Sequence, residues 1–563
     1  MTTLRDNPGS GQDGASDREP TAVSPPPAQP RGPRQAVAGV TGLIRRHRLY
    51  SLALLLAAVI RVLIMLGYRP AMLFRLDTFD YLWGAVHLSP NVVNPSGYSL
   101  FLRLLLPFHS LELVVAIQHV LGLVVAGLVY AVLRRYGLPE WGATLAAMPV
   151  LFDPSQLVIE HLIMADLLAM VLMVGAFAVL LTRTRPSLWR SATVGMLMGL
   201  AAIVRPTVLP LLILIPVYLL VTRVGWRRAG AALVAGLVPV LGYMSWFAAV
   251  HGPFIMTNSN GLFLWSRTMS FANCQVIKPP ASLVPLCPNT QPGPLALANP
   301  ALRRQPMRYL WNHRIWAWHG APPGFIPDAA AFTSANNARA LRFAVKAIEA
   351  QPVAYATTIW SETLTPFMHN DNSLRFVDYT PSSVNLTPHE LRYAIGSIQA
   401  YTGNDQGVSS DLGYHFGVRL VAPYVTVVNI YQHGFFLPGP LFGAIMLAGL
   451  AGILIPSRRS PAAILLWASA VIIMVVPTAE HEYTYRYVLP AVPLACMALA
   501  LAFRKPIGRR RAVGQQEAGG AADPDADAGA TAPLPAGQAA DSAADPAERV
   551  TAAQVADADP QTA

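Results

Sequence analysis

Charge is what this chain of 563 residues has little of: 13% of it is Asp, Glu, Lys or Arg, against 53% hydrophobic residues, and its mean hydropathy is +0.40. Soluble domains carry roughly 25% charged residues, so an ordinary water-soluble fold is excluded. Cysteine is nearly absent, with three in all. Cys274 and Cys287 fall in one long loop, where an oxidising compartment permits a bridge between them, the alternative being two free thiols; Cys496 lies in the last apolar run. No cleavable signal peptide is read, because the first apolar run begins late and others follow it, so the first helix is expected to act as an uncleaved anchor. No Gly-rich phosphate loop of the nucleotide-binding type occurs, and no spacing of His, Cys, Asp and Glu matches a strong metal signature.

What the chain does have is a series of apolar runs of about 17 to 22 residues, each able to cross a hydrocarbon layer roughly 30 Å thick as a helix. They start near residues 50, 113, 139, 163, 191, 207, 230, 434, 461 and 487. This predicts an all-α polytopic membrane protein of about ten helices. The net charge of +11 does not point to nucleic acid, because the basic residues collect in alternate short loops: Arg45, Arg46 and Arg48; Arg134 and Arg135; Arg183, Arg185 and Arg190; Arg223, Arg227 and Arg228; Arg458 and Arg459; Arg504 and Lys505. That is the positive-inside pattern, which puts both termini in the cytoplasm and every intervening loop outside. The expected organisation is a cytoplasmic tail of low order at 1–45, a transmembrane core at 46–250, an extracytoplasmic loop domain at 251–433, further transmembrane helices at 434–505, and a second tail at 506–563. Within the large loop, "NARALRFAVKAIEAQPVAYATTIWSETLTPF" has helical periodicity, broken at Pro352, and reads as two helices on the outer membrane surface.

The polar residues of the outward side recur in short motifs. In "RLDTFDY", Asp77 and Asp80 stand three apart, on one face if the stretch is helical; Asp77 and Thr78 could equally cap that helix, or the pair could serve Arg75. "NPSGYSLFLRLLLPF" follows, able to lie as a short helix in the interface. "EHLIMADLLAMVL" puts Asp166 at the entrance of the fourth run, with Glu160 and His161 upstream; "GLAAIVRPTVLP" puts Arg205 at a helix end; "EYTYRYVLPAVPL" puts Arg486 and Tyr487 before the last run. In this order and sidedness the motifs resemble the GT-C glycosyltransferases, polytopic enzymes that use polyprenyl-phosphate sugars, over residues 50 to 505 except most of the large loop. The spacing of the first acids departs from the adjacent pair of many members, which leaves the choice between Asp77 and Asp80 open.

The resemblance implies a GT-C-like bundle with an extracytoplasmic active site and a polyprenyl-phosphate sugar as donor. The acceptor would be a glycan, lipid or protein of the cell envelope, and sugar transfer would be inverting. Such a reaction needs a base for the acceptor hydroxyl, for which Asp77, then Asp80, is the candidate, with Asp166 as a second acid. An acid at a span's outer end is costly unless paired or wetted, so Asp166 reads as functional or as half of a salt bridge. Guanidinium groups suit the departing phosphate, which makes Arg205 and Arg486 candidates, joined by Tyr81, Tyr487, Glu160, His161 and His481; snorkelling or structural pairing is the plainer reading for the arginines. Arg61, near mid-span, must find an acid of the site or the lipid phosphate. A divalent cation (magnesium, calcium or manganese) is an optional cofactor, with Asp166, Glu480, His481 and Glu482 as candidate ligands. Gln118 and His119 read as interhelical hydrogen-bonding groups. Trp311, Trp316 and Trp318 with His313 and His319 read as membrane anchors, or as a platform for a sugar ring. The competing classes are a transporter or flippase of lipid-linked glycans, which would bury charges near mid-membrane and show repeats of spans, and a noncatalytic scaffold.

Overall fold

The computed structural model describes residues 45–183, 185–288, 332–368, 374–376, 388–403 and 418–504, with isolated positions 42, 306 and 310. The tryptophan and histidine cluster at 311–319 lies outside the described residues, as do nearly all of the two tails. Each apolar run forms a helix. In chain order these and their companions are α1 (Arg48–Gly67), β1 (Tyr68–Arg69), α2 (Arg75–His87), α3 (Gly97–Leu105), α4 (Leu111–Arg135), α5 (Glu140–Phe152), α6 (Pro154–His161), α7 (Asp166–Leu181), α8 (Leu188–Val204), α9 (Leu211–Val221) and α10 (Trp226–His251). There follow α11 (Asn260–Thr268), α12 (Ser334–Ala350), α13 (Pro352–Met368), α14 (Pro388–Thr402), β2 (Arg419–Leu420), α15 (Tyr424–Gly434), α16 (Gly439–Leu454), α17 (Pro461–Glu480) and α18 (Tyr485–Ala502).

Among the described residues five helices, α1, α4, α10, α17 and α18, are long and apolar enough to cross a membrane, and up to seven spans result if the bent pairs α5–α6 and α15–α16 each count as one. The runs at α7, α8 and α9 make helices of 16, 17 and 11 residues, short of the roughly 20 residues of a full crossing. Among the described residues, then, fewer of the ten apolar runs reach full crossing length as single unbroken helices, because proline and polar residues break the runs. At the α5–α6 junction the chain bends by 51°: Pro154 cannot continue the preceding hydrogen-bond ladder, and Asp153 caps the new helix by accepting from the Ser155 N–H at 2.7 Å.

With little hydrophobic drive between helices in lipid, small residues set how closely they pack. The α8–α10 crossing shows this: a Cβ added at Gly199 would sit 2.1 Å from the Gly236 carbonyl oxygen, and one at Gly195 1.8 Å from that of Ala232. The first loop is held from two sides. β1 pairs with β2 in antiparallel register, Tyr68 opposite Leu420, while Met72 bridges to Leu162 just before α7. Gly97, of the Pro-Ser-Gly-Tyr motif, presses on the end of α8, where a Cβ would lie 2.5 Å from the Ile203 carbonyl oxygen. That contact positions the loop beside Arg205.

In the large loop, the break at Pro352 divides α12 from α13 as expected. α12 packs on α11, and α13 packs along α16 and α17. Cys274 and Cys287 are joined in a disulfide, and Cys496 is free.

Gly199→Ala is expected to destabilise the protein by about 1–3 kcal/mol through overpacking. Gly230→Ala, where a Cβ meets open space, is expected to stabilise it by up to about 1 kcal/mol. Thermal unfolding of the purified protein in detergent checks the opposite signs.

Candidate functional site

Four arginines removed from water each meet a carboxylate. They fall into two kinds. The first kind is Arg61, whose Nε and Nη2 hold the two oxygens of Glu160 at 2.8 Å each, while its Nη1 and Nη2 also donate to the carbonyls of Ala57, Leu151 and Val150. Glu160 further accepts from Gln156 and shares a 3.0 Å contact with the His119 Nδ1. His161 contacts the His119 Nε2 at 3.1 Å and the Tyr68 carbonyl at 2.6 Å. Gln118 donates to the carbonyls of Glu160 and Leu162, which makes it and His119 the interhelical links expected of them. Gly122 makes room for the acid, since a Cβ there would lie 2.0 Å from the Glu160 Oε1. Every group in this knot is satisfied from within. The structure thus gives Arg61, Glu160 and His161 a structural partner set of their own, sharing no side-chain hydrogen bond with the remaining candidates among the described residues.

The second kind lies around residues 481–487, the strip joining α17 to α18. Arg486 donates from Nη1 to the Asp77 Oδ2 at 3.2 Å and from Nη2 to the Tyr487 hydroxyl at 3.0 Å. Its guanidinium carbon stands 4.3 Å from the Phe74 ring centre. Arg205, released at the end of α8 by Pro206, donates from Nη2 to the Asp166 Oδ2 at 2.5 Å and also lies over the Tyr487 ring, 5.5 Å from its centre, as Arg486 does at 4.9 Å. Tyr81 is buried and feels Arg205, Asp77, Asp166 and Arg486 together; burial pushes its hydroxyl pKa up, and the two arginines oppose that. Asp77, Asp166, Arg205, Arg486, Tyr81 and Tyr487 therefore converge, from α2, α7, the end of α8 and the start of α18.

A third pair extends the cluster, and no local motif signals it. Arg267 of α11, wholly buried, donates from Nη1 to the Glu362 Oε1 of α13 at 2.7 Å and to the His481 carbonyl at 3.2 Å. The other Glu362 oxygen accepts the Tyr483 N–H at 3.0 Å. Two helices of the large loop thus clamp the backbone that carries Arg486. His481 feels both Arg486 and Arg267; burial, then those two cations, lower its pKa to about 3.

A common feature separates these three arginines from Arg61. The Nε of Arg205, Arg267 and Arg486, and the Nη2 of Arg267, are buried with no hydrogen-bond partner. A buried N–H left unpaired costs about 1–3 kcal/mol, so such donors call for an anion or a water. A small cavity of about 20 Å³ borders Arg205, with Asp166, Thr207 and Tyr487 beside apolar residues of α7 and α17 on its wall; Arg267 and Arg486 do not line it. It has room for about one water molecule.

The structure separates the two acids of the first loop. Asp77 meets Arg486, and its Oδ1 is uncommitted among the described residues. Asp80 accepts the Tyr393 hydroxyl at 2.9 Å, tying α2 to α14. Neither Asp77 nor Thr78 caps α2, whose N-cap is Phe74 with no side-chain cap bond; the Thr78 hydroxyl accepts the Phe74 N–H and donates to the Ile163 carbonyl, tying the helix start to the strip before α7. Arg75's side chain lies outside the described residues. Among the described residues no three His, Cys, Asp or Glu side chains gather to hold a metal ion, so Asp166, Glu480, His481 and Glu482 do not form one ligand set.

No protein-family profile matches the chain, and no curated protein sequence matches it. Among solved structures it is similar to ArnT from Cupriavidus metallidurans bound to undecaprenyl phosphate, at 14% identity and a TM-score of 0.30, over 83% of this chain and 78% of that one. It is also similar to the Archaeoglobus fulgidus oligosaccharyltransferase tethered to an acceptor peptide, at 14% identity and a TM-score of 0.32, over 84% of this chain and 53% of that one. The apo form of the latter gives 14% and 0.31, over 80% and 50%. Likeness this distant carries no chemistry, which rests on the side chains.

Glu160→Gln leaves the Arg61 charge buried without its counterion and is expected to cost about 3–5 kcal/mol, read as a fall in thermal stability. His481 predicts a pH dependence. The folded state keeps it neutral down to about 3, whereas an unfolded chain protonates it near 6.5. Between those values the unfolded state binds the extra proton, so stability falls as pH drops from 6.5 towards 3. A His481→Gln variant should show a shallower fall in unfolding scans across that window.

Proposed function

We propose that this protein is a membrane glycosyltransferase that transfers a sugar from a polyprenyl-phosphate donor to an acceptor hydroxyl, with Asp77 as the general base. The observation that carries this reading is the Asp77–Arg486 pair beside the Asp166–Arg205 pair, with the Nε of each arginine unpaired and buried. A phosphate diester offers such donors two oxygens at once, which a planar guanidinium matches. The acceptor hydroxyl gives its proton to the free Oδ1 of Asp77 as its oxygen bonds to the anomeric carbon. The bond from that carbon to the phosphate oxygen breaks, and polyprenyl phosphate leaves with its charge held by Arg205 and Arg486. A single displacement of this kind inverts the anomeric centre. Asp166 keeps Arg205 aimed at the site. Tyr487 contacts both guanidinium groups through its ring and accepts from Arg486 through its hydroxyl, which helps to hold them in place.

The sidedness of the site has physical support as well. The Cys274–Cys287 disulfide belongs to an oxidising compartment. It follows directly on α11, whose Arg267 touches the 481–487 strip. The short arginine-rich loops belong on the opposite side. Both termini are then cytoplasmic, and the site faces out of the cytoplasmic membrane, where the head group of a lipid-borne donor meets water and an envelope acceptor.

With radiolabelled polyprenyl-phosphate sugar and purified protein, Asp77→Asn is expected to lower turnover by about 10²–10⁴. Asp80→Ala should act mainly on stability, through the lost Tyr393 bond. Arg486→Lys should lower kcat/KM, because an ammonium group cannot grip two phosphate oxygens in one plane. Full activity in Asp77→Asn removes the assignment. Movement of the lipid-linked sugar across the bilayer without turnover favours the flippase.

A further inference from the structure

A cavity of about 1080 Å³ opens between α5, α16 and α18 and shares no residue with the acid–arginine cluster. Its walls are apolar, among them Trp141, Leu145, Met148, Leu441 and Leu499, and several of these are exposed to the outside of the fold. One end is basic. Arg134, in the last turn of α4, and Arg504, just after α18, both line it. Arg458 stacks on Phe503 there, 4.8 Å from the ring centre.

None of the three arginines forms an ion pair among the described residues. Arg134 gives its Nη1 to the Leu138 carbonyl, and its Nε is buried without a partner. Arg504 lies against the Tyr136 ring at 5.1 Å. The far end holds Asp153, whose carboxylate is taken up by the N–H groups of Ser155 and Leu437 and so asks for no cation. The cavity is thus an apolar channel with uncompensated positive charge at one mouth only.

We propose that this groove binds an anionic phospholipid, with an acyl chain along α5 and α18 and the phosphate between Arg134 and Arg504. The 13 residues of α5 span about 20 Å at 1.5 Å per residue. Half of a hydrocarbon core roughly 30 Å thick is about 15 Å, so a chain from one leaflet fits within the groove. The head group is selected by charge. Arg134 and Arg504 belong to the loops that the positive-inside pattern assigns to the cytoplasm, whose leaflet carries the anionic lipids. A zwitterionic lipid gains no net charge pairing with the arginines and therefore occupies the same walls more weakly.

The chain supplies its own reporter. With Cys274 and Cys287 bridged, Cys496 is the free thiol, and it lines the groove. Full-length protein is placed in nanodiscs of phosphatidylcholine, with or without phosphatidylglycerol, and the alkylation of Cys496 by an uncharged maleimide is timed. Phosphatidylglycerol is expected to slow the reaction by about thirtyfold, as follows from two arginines acting on one anionic head group. The double variant R134Q/R504Q should react at one rate in both discs. Equal rates for wild type in the two discs overturn the proposal, as does protection that persists in the double variant. Should that variant fail to fold, native mass spectrometry of wild type released from mixed discs decides: one phosphatidylglycerol retained in preference to phosphatidylcholine supports the site, and no preference overturns it. Neither readout depends on sugar transfer, so its failure is separate from failure of the proposed activity.

Discussion

A guanidinium taken out of water must be met by a carboxylate, and this chain is organised around four such meetings: Arg61 with Glu160, Arg205 with Asp166, Arg267 with Glu362 and Arg486 with Asp77. The cost of leaving one such charge alone is several kcal/mol, comparable with a large part of a domain's net stability. Each pair therefore fixes the relative placement of the elements that bear it. Arg61 and Glu160 join α1 to α6. Arg267 and Glu362 join α11 to α13, and through the Tyr483 N–H they fix the strip leading into α18.

What distinguishes the Arg61 pair from the other three is the state of the remaining donors. Arg61 spends all three nitrogens on protein acceptors, and its neighbours His119, Gln156 and Gln118 complete the knot. The other three arginines each keep a buried Nε free. Arg205 and Arg486 share the Tyr487 ring, and Arg267 bonds the His481 carbonyl of the same strip, so the unpaired donors belong to one region of the fold. The same test sets Arg134 apart at the other end of the fold, where an apolar groove replaces the acid.

Much of the helical order was legible in the chain because it is a local property. Apolar runs without charge must become helices in lipid, since backbone groups there have no other partner. Proline marks the breaks, as at Pro154 and Pro352, and the Gly and Ala spacing of α8 and α10 permits close approach. The number of full crossings was less legible, because α7, α8 and α9 are apolar enough and yet short. Among the site residues, residue type was readable: acids and arginines at helix ends are conspicuous in a chain with so few charges.

Partner choice was not readable, because it depends on separations that no local pattern encodes. Asp77 and Asp80 are alike in sequence. Only the folded chain shows one facing Arg486, 409 positions away, and the other facing Tyr393, 313 positions away. Arg61 looked available to a ligand until Glu160 closed on it, and Arg267 drew no notice until Glu362 lay beside it, 95 positions on. The sequence by itself determined which segments leave water and which residue types stand at their ends, since hydropathy and backbone hydrogen bonding act over neighbouring residues. The tertiary structure decided which charge neutralises which, and so which donors are left over, because electrostatic pairing in a low-dielectric interior is settled by distance in space.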